Sequence, residues 1–81
     1  METKVAVIAI IVENAQSVEG INNLLHEFSD SIIGRMGVPY RAKNVNVISI
    51  AVDASQDVID KLESQVGALD GVSAKTVYAP V

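Results

Sequence analysis

The stretch VAVIAIIV at residues 5–12 decides the fold, because a close copy of it, VNVISIAV, occurs at residues 45–52. The similarity continues to residues 18 and 58, and half of the aligned positions are identical: Val5, Val7, Ile8, Ile10, Val12, Gln16 and Val18. A repeat within one chain fixes the architecture before any motif is considered. Each copy is a β-branched run followed by a helical apolar pattern and a second β-like run, which predicts strand, helix, strand twice.

The first half predicts a central strand at Lys4–Val12, with Asn14 as the N-cap of a helix whose first turn is residues 15–17. The apolar stripe of this helix has helical spacing and consists of Val18, Ile21, Leu24, Leu25 and Phe28. The helix is expected to close at residues 29–30. Residues 32–40 are predicted to form the second strand, and the glycines and proline within it favour an edge strand with a bulge.

The second half repeats this plan after a polar turn at residues 41–44, with a third strand at residues 44–52 and Ser55 as the cap of a second helix. Its buried stripe is predicted to be Val58, Ile59, Leu62 and Val66. Gly67 suits the position just after that helix, and Val72–Tyr78 is the last strand. The βαββαβ order predicts an α+β, ferredoxin-like domain spanning residues 1–81. It has a four-stranded antiparallel sheet with the repeated strands in its centre and both helices on one face.

Composition narrows the classes of function. The chain has 81 residues, a net charge of −4 and no cysteine, so a small domain must find stability without disulfides or thiolate metal sites. We expect a cytoplasmic protein. The acidic balance argues against direct binding to nucleic acid, and no apolar run is long enough to cross a membrane.

The alternation of side chains predicts that the sheet is apolar on both faces. The larger set, Ile8, Ile10, Val12, Ile48, Ile50 and Val52, is assigned to the face that the helices cover. The smaller set then lies on the uncovered face and is predicted to be the oligomer interface: Val5, Val7, Ala9, Ile11, Val45, Val47, Ser49 and Ala51. We expect a symmetric homo-oligomer, a dimer or a tetramer, because a soluble monomer rarely exposes such a patch. The alternative is that the long side chains of Arg35 and Lys75 cover it.

The segment at residues 34–41 is the candidate ligand site, because its glycines permit close approach of a ligand and its arginines suit a carboxylate or phosphate. The candidate ligand-binding residues are Gly34, Arg35, Met36, Gly37, Tyr40 and Arg41. The structural alternative is that the same segment is a bulged edge strand that avoids aggregation.

Other polar residues give weaker signals. His26, with Asp30 one helical turn later, falls short of a metal site, and a solvated helix histidine is the simpler reading. Glu13 and Asp53 occupy equivalent positions in the repeat, either as an acid–base pair or as favourable charges before helix starts. We predict no catalytic residues, no metal and no cofactor.

The chain resembles a known family along most of its length. The resemblance runs from the first strand, Val5–Val12, through LLHE at 24–27, IIGRMGVPYR at 32–41, VIS at 47–49 and LDGV at 69–72. They resemble the family of regulators of the iron-only hydrogenase system, which implies a stand-alone ACT-like regulatory domain similar to the C-terminal domain of nickel-responsive repressors. His26 matches one nickel ligand of those repressors, but Gly37 and Pro39 stand where two others lie, so nickel binding is not implied. The loop at residues 13–16 also lacks the glycine usual in amino-acid-binding ACT domains.

Two functions follow from the sequence and the resemblance together. The first is a non-enzymatic, oligomeric regulatory module that binds a small anionic effector or a protein partner near the second strand. The second is a structural adaptor, without a small-molecule ligand, that pairs its sheet edge with a strand of a partner protein.

Overall fold

The chain folds in the predicted βαββαβ order. A computed structural model describes residues 2–80. The elements are β1 (Lys4–Val12), α1 (Val18–Glu27), β2 (Ile32–Tyr40), β3 (Val45–Ala54), α2 (Gln56–Gly67) and β4 (Val72–Tyr78). All strand pairs are antiparallel and the sheet order is β2-β3-β1-β4, so the repeated strands β1 and β3 lie in the centre as expected. Within residues 2–80, neither helix has the length and apolar character needed to cross a bilayer.

The core lies between the sheet and the two helices. Every second side chain of β1 is buried, and Ile8 and Ile10 are fully enclosed where they pair with Ile50 and Ile48 of β3. The helices contribute the buried residues Ile21, Leu25, Ile59, Leu62 and Val66. The large set of strand residues therefore faces the helices, as the alternation predicted.

The helix termini differ from the sequence prediction in detail. Asn14 caps a 3-10 turn at Ala15–Ser17, where its Oδ1 accepts a hydrogen bond of 3.0 Å from the backbone N–H of Gln16, and α1 begins only at Val18. α1 ends at Glu27, and a second 3-10 turn occupies the residues expected to close it. The cap of α2 is as predicted, since the side chain of Ser55 accepts from the backbone N–H of Val58.

β2 is an edge strand with an irregular start. The pairing with β3 shifts between Ile32 and Gly34, which confirms the expected bulge and leaves Ile33 exposed. After the bulge the alternation is regular: Arg35 pairs with the buried Ile50, and Met36 pairs with Ser49 on the other face.

The loop between α2 and β4 is fastened to the turn that precedes α1. Gly67 was expected just after α2, but it is the last residue of the helix, and the left-handed conformation falls on Gly71 (φ 69°). The carbonyl of Gly71 accepts from the N–H of Glu13 at 2.7 Å, and the hydroxyl of Ser17 donates to the carbonyl of Asp70 at 2.6 Å. These bonds join the two halves of the chain at one end of the helical layer.

Gly71→Ala is expected to destabilise the protein. A Cβ at this position would lie 2.8 Å from the Cβ of Asn14, and the positive φ adds backbone strain, so the loss should be about 1–3 kcal/mol or more. Urea unfolding at a fixed protein concentration measures it. Gly67→Ala is the matched control, because its methyl group would meet Ala74 at an ordinary 3.9 Å within a helix, where alanine is favoured. Equal stabilities of Gly71→Ala and the parent chain would contradict the prediction.

Candidate functional site

Almost all the large apolar side chains that are exposed among residues 2–80 lie on one side of the sheet. We call this side, which faces away from the helices, the open face. Nine large apolar side chains are exposed among residues 2–80, and all except Ile33 lie on it: Val5, Val7, Ile11, Met36, Val38, Tyr40, Val47 and Val77. Because they are contiguous across four strands, they form one patch rather than scattered single contacts.

The eight residues predicted as the oligomer interface all lie on the open face. They alternate with core residues on β1 and β3, and the strand register places Val7 beside Ala51 and Ile11 beside Val47. Sequence reasoning omitted the contributions of the edge strands, Val38 and Met36 on β2 and Val77 on β4. The alternation within those strands was the signal that could have found them.

The open face has a varied relief. Gly34, Ser49 and Ala51 are small, and they leave a shallow hollow of about 320 Å³ beside Met36. A second, more apolar hollow of about 300 Å³ lies over the other edge of the sheet, between Val7 and Val77. Ridges of large side chains therefore stand beside two hollows, one above small residues and one between Val7 and Val77.

Charged side chains leave the open face largely uncovered. Arg35 was considered as a possible cover, but it faces the helices instead, where its Nη2 donates to the Oδ1 of Asn22 on α1 at 3.1 Å. Lys75 does lie on the open face, paired with Ala9, but on the edge strand β4. Asp53 lies at one end of β3, opposite Val5.

The structure divides the predicted ligand residues between the two faces of the sheet. Gly34, Met36 and Tyr40 pair with open-face residues of β3, whereas Arg35 and Gly37 pair with the buried residues Ile50 and Ile48. Arg41 follows β2 in a 3-10 turn. The six residues therefore do not converge on one point, because successive side chains of a strand point in opposite directions.

A groove opens on the helical side of the sheet, between β2 and α1. It measures about 170 Å³ and is lined by Val18, Asn22, Arg35, Gly37, Val38, Pro39, Asn46 and Ile48. A smaller hollow of about 90 Å³ shares Pro39 and Asn46 with it and extends to Arg41 and Ala15. We call the two together the β2–α1 groove. Sequence reasoning missed Asn22 and Asn46, since isolated asparagines carry no motif.

The internal repeat explains why the groove is open. Ile8 and Ile48 are equivalent in the repeat, and their neighbours on the edge strands are Thr76 and Gly37 respectively. Thr76 fills its position and donates a hydrogen bond of 2.6 Å to Glu63 of α2. Gly37 has no side chain, and a Cβ there would meet only Ile48, at 4.0 Å. The crevice between an edge strand and the neighbouring helix is therefore filled in the second half, between β4 and α2, and empty in the first half, between β2 and α1.

The other polar candidates do not assemble into a site within this chain. Glu13 follows the end of β1, whereas Asp53 pairs with Val5 near its start, so about eight residues, roughly 27 Å of strand, separate them. They cannot act as an acid–base pair in one protomer. His26 is exposed on α1, and residues 2–80 bring no three histidine or acidic side chains together in a metal-binding arrangement.

Comparison with known proteins agrees with this arrangement of sheet and helices. The structure is a small α+β domain with a four-stranded antiparallel sheet and two helices on one face. Residues 4–76 match the model of the TM1266-like family, described as "Iron-only hydrogenase system regulator, putative", and the chain belongs to this family. A solved structure, that of the uncharacterized protein TM1266 from Thermotoga maritima, is 32% identical, covers 95% of this chain and 98% of its own, and superposes with a TM-score of 0.91. No curated protein gives a significant match.

The bond between Arg35 and Asn22 should contribute little to stability, since both side chains are exposed. Asn22→Ala is expected to change the free energy of unfolding by no more than about 0.5 kcal/mol, measured by urea unfolding. Ser17→Ala provides the contrast, because it removes the hydrogen bond that a buried hydroxyl donates to the carbonyl of Asp70, at a cost of about 1 kcal/mol. A loss for Asn22→Ala as large as that for Ser17→Ala would show that the groove wall is part of the core.

Proposed function

We propose that this protein is a non-enzymatic regulatory module that works as a homo-oligomer and binds a small anionic effector or a protein partner beside β2. The observation that carries the proposal is the open face, on which eight large apolar side chains are exposed together. The description of its family as a regulator supports the same class of function.

A second copy of the chain is the occupant of the open face that its chemistry favours. Burial of apolar surface contributes about 25 cal/mol per Å², so covering a patch of several hundred Å² would add several kcal/mol to a domain of marginal stability. The charged residues Lys75 and Asp53 lie on an edge strand and at a strand end, where they can remain in water. The ridges and hollows can interlock across a two-fold axis, with sheets about 10 Å apart.

β2 is the element that would connect ligand binding to assembly. Its open-face residues, Met36 and Val38, would lie in the interface, while Arg35 and Gly37 line the groove on the other side of the same strand. A ligand that orders this edge strand changes the surface offered to the second copy. The ligand shifts the equilibrium between protomer and oligomer only if its affinities for the two states differ, and the ratio of those affinities sets the size of the shift.

The adaptor remains the second candidate, supported by the exposure of β2 from Ile33 to the end of the strand. A partner strand could pair with this edge through main-chain hydrogen bonds. Pro39 and the bulge weaken such pairing, because proline has no N–H and the bulge interrupts the ladder.

Val7→Lys is expected to convert the oligomer into a monomer. The substitution places a charge at the centre of the open face, where the side chain is 42% exposed in the single chain and tolerates lysine without unfolding. Sedimentation velocity at micromolar concentration should give a species larger than the 8.6 kDa protomer for the parent chain and a protomer for the variant. Asn23→Lys, an exposed position on α1, adds the same charge and should remain oligomeric. A parent chain that sediments as a monomer would remove the proposal.

A thermal-shift screen separates the effector module from the adaptor. We expect at least one small anionic metabolite to raise the melting temperature, because a ligand that binds only the folded state stabilises it by mass action. Circular dichroism of each hit confirms that the fold is unchanged. If no compound raises the melting temperature and an extended peptide binds at β2, the adaptor is favoured.

A further inference from the structure

We propose that the β2–α1 groove is a binding site for a small carboxylic acid with a short apolar chain. The inference rests on the proposed regulatory function and names the class of effector. Arg35 would hold the carboxylate, and the apolar chain would lie on Ile48 against Val18 and Pro39.

The charge of the groove differs from that of the protein. The chain has ten acidic residues and a net charge of −4, yet the lining of both hollows includes two arginines, Arg35 and Arg41, and no carboxylate. The only charged side chains that line the groove are therefore positive, which favours an anion there in a protein that is acidic overall.

Arg35 is oriented but not neutralised. Its Nη2 donates to the amide oxygen of Asn22, an uncharged acceptor. A guanidinium has five N–H donors in a planar fork, so several remain for a carboxylate, which a guanidinium binds through two parallel hydrogen bonds. Asn22 thus positions the cation on the wall of the groove.

The remaining lining selects the body of the ligand. Ile48 is 6% exposed and forms an apolar floor below Gly37, whose missing side chain provides the space. The half-buried Asn46 adds one amide beside this floor. Volumes of about 170 and 90 Å³ are below the 300–1,000 Å³ typical of clefts for drug-sized ligands, which points to a ligand of metabolite size. Inorganic phosphate would leave the apolar floor uncovered, whereas a short carboxylic acid covers it.

The repeat supports a role for this opening other than packing. At the equivalent place in the second half, Thr76 is bonded to Glu63, and Tyr78 accepts from Gln56 and donates to Asp60. Those polar contacts close the crevice between β4 and α2. The fold thus provides its own example of the closed state, and Gly37 together with Pro39 keeps the first-half crevice open.

Butyrate is the probe for this site, and two-dimensional ¹H–¹⁵N NMR of the full chain is the measurement. We expect saturable shifts of the backbone amides of Val18, Asn22, Gly37 and Asn46, with a dissociation constant on the order of millimolar for so small a ligand. Inorganic phosphate at the same concentrations should give shifts that are smaller and do not saturate.

Three variants test the assigned roles. Arg35→Gln should weaken butyrate binding about 10-fold or more, because it removes charge-assisted hydrogen bonds. Lys61→Gln, which makes the same change in net charge at an exposed position of α2, should leave the affinity unchanged. Gly37→Leu should abolish binding by filling the floor, while its spectrum outside the groove stays that of the folded parent.

Each outcome of these titrations either supports or overturns the carboxylate site. Equal weakening by Arg35→Gln and Lys61→Gln, phosphate binding as tight as butyrate, or no saturable shift with butyrate would each overturn the carboxylate site. Sedimentation of the same samples tests the oligomeric module separately. An oligomer that persists without butyrate binding leaves the proposed function standing and removes only this inference.

Discussion

The register between β1 and β3 is the constraint on which the rest of the molecule depends. With Ile8 opposite Ile50 and Ile10 opposite Ile48, these four isoleucines meet the two helices, as do Val12 and Val52. A shift of one residue would turn these side chains to the other face and leave the helices without a core. The same register places the other set, which consists of valines, alanines, Ile11 and Ser49, on the open face. The core and the proposed interface are therefore two results of one alignment.

β2 is the edge strand that carries residues of both the open face and the β2–α1 groove. It pairs with β3 along one edge, and its residues from Ile33 onward are exposed. The bulge sets the alternation that sends Arg35 toward α1 and Met36 toward the open face. In contrast, the start of α1 is fixed by the bonds from Ser17 and Glu13 to the α2–β4 loop. The β2–α1 groove thus has one wall that is hydrogen-bonded to the α2–β4 loop and one wall that is an exposed edge strand.

Much of the fold could be predicted from the sequence, because β-branched runs and helical stripes signal local structure directly. The repeat gave the order of elements, and alternation gave the two faces of β1 and β3. The face of the sheet on which Arg35 lies could not be predicted, because it is set by the position of the bulge, which depends on pairing with β3. The groove was also beyond reach, because Asn22 and Asn46 come from different elements and meet only in three dimensions. The helix ends were displaced by 3-10 turns, which sequence patterns resolve poorly.

The filled and open versions of one crevice have a consequence for how such a domain can change over time. In a fold made of two like halves, each structural task exists in duplicate. Here Thr76 and Tyr78 perform the sealing task in the second half. The corresponding positions in the first half, occupied by Gly37 and Pro39, are released from it. Substitutions there can change the shape of the β2–α1 groove without removing the hydrogen bonds that close the second half.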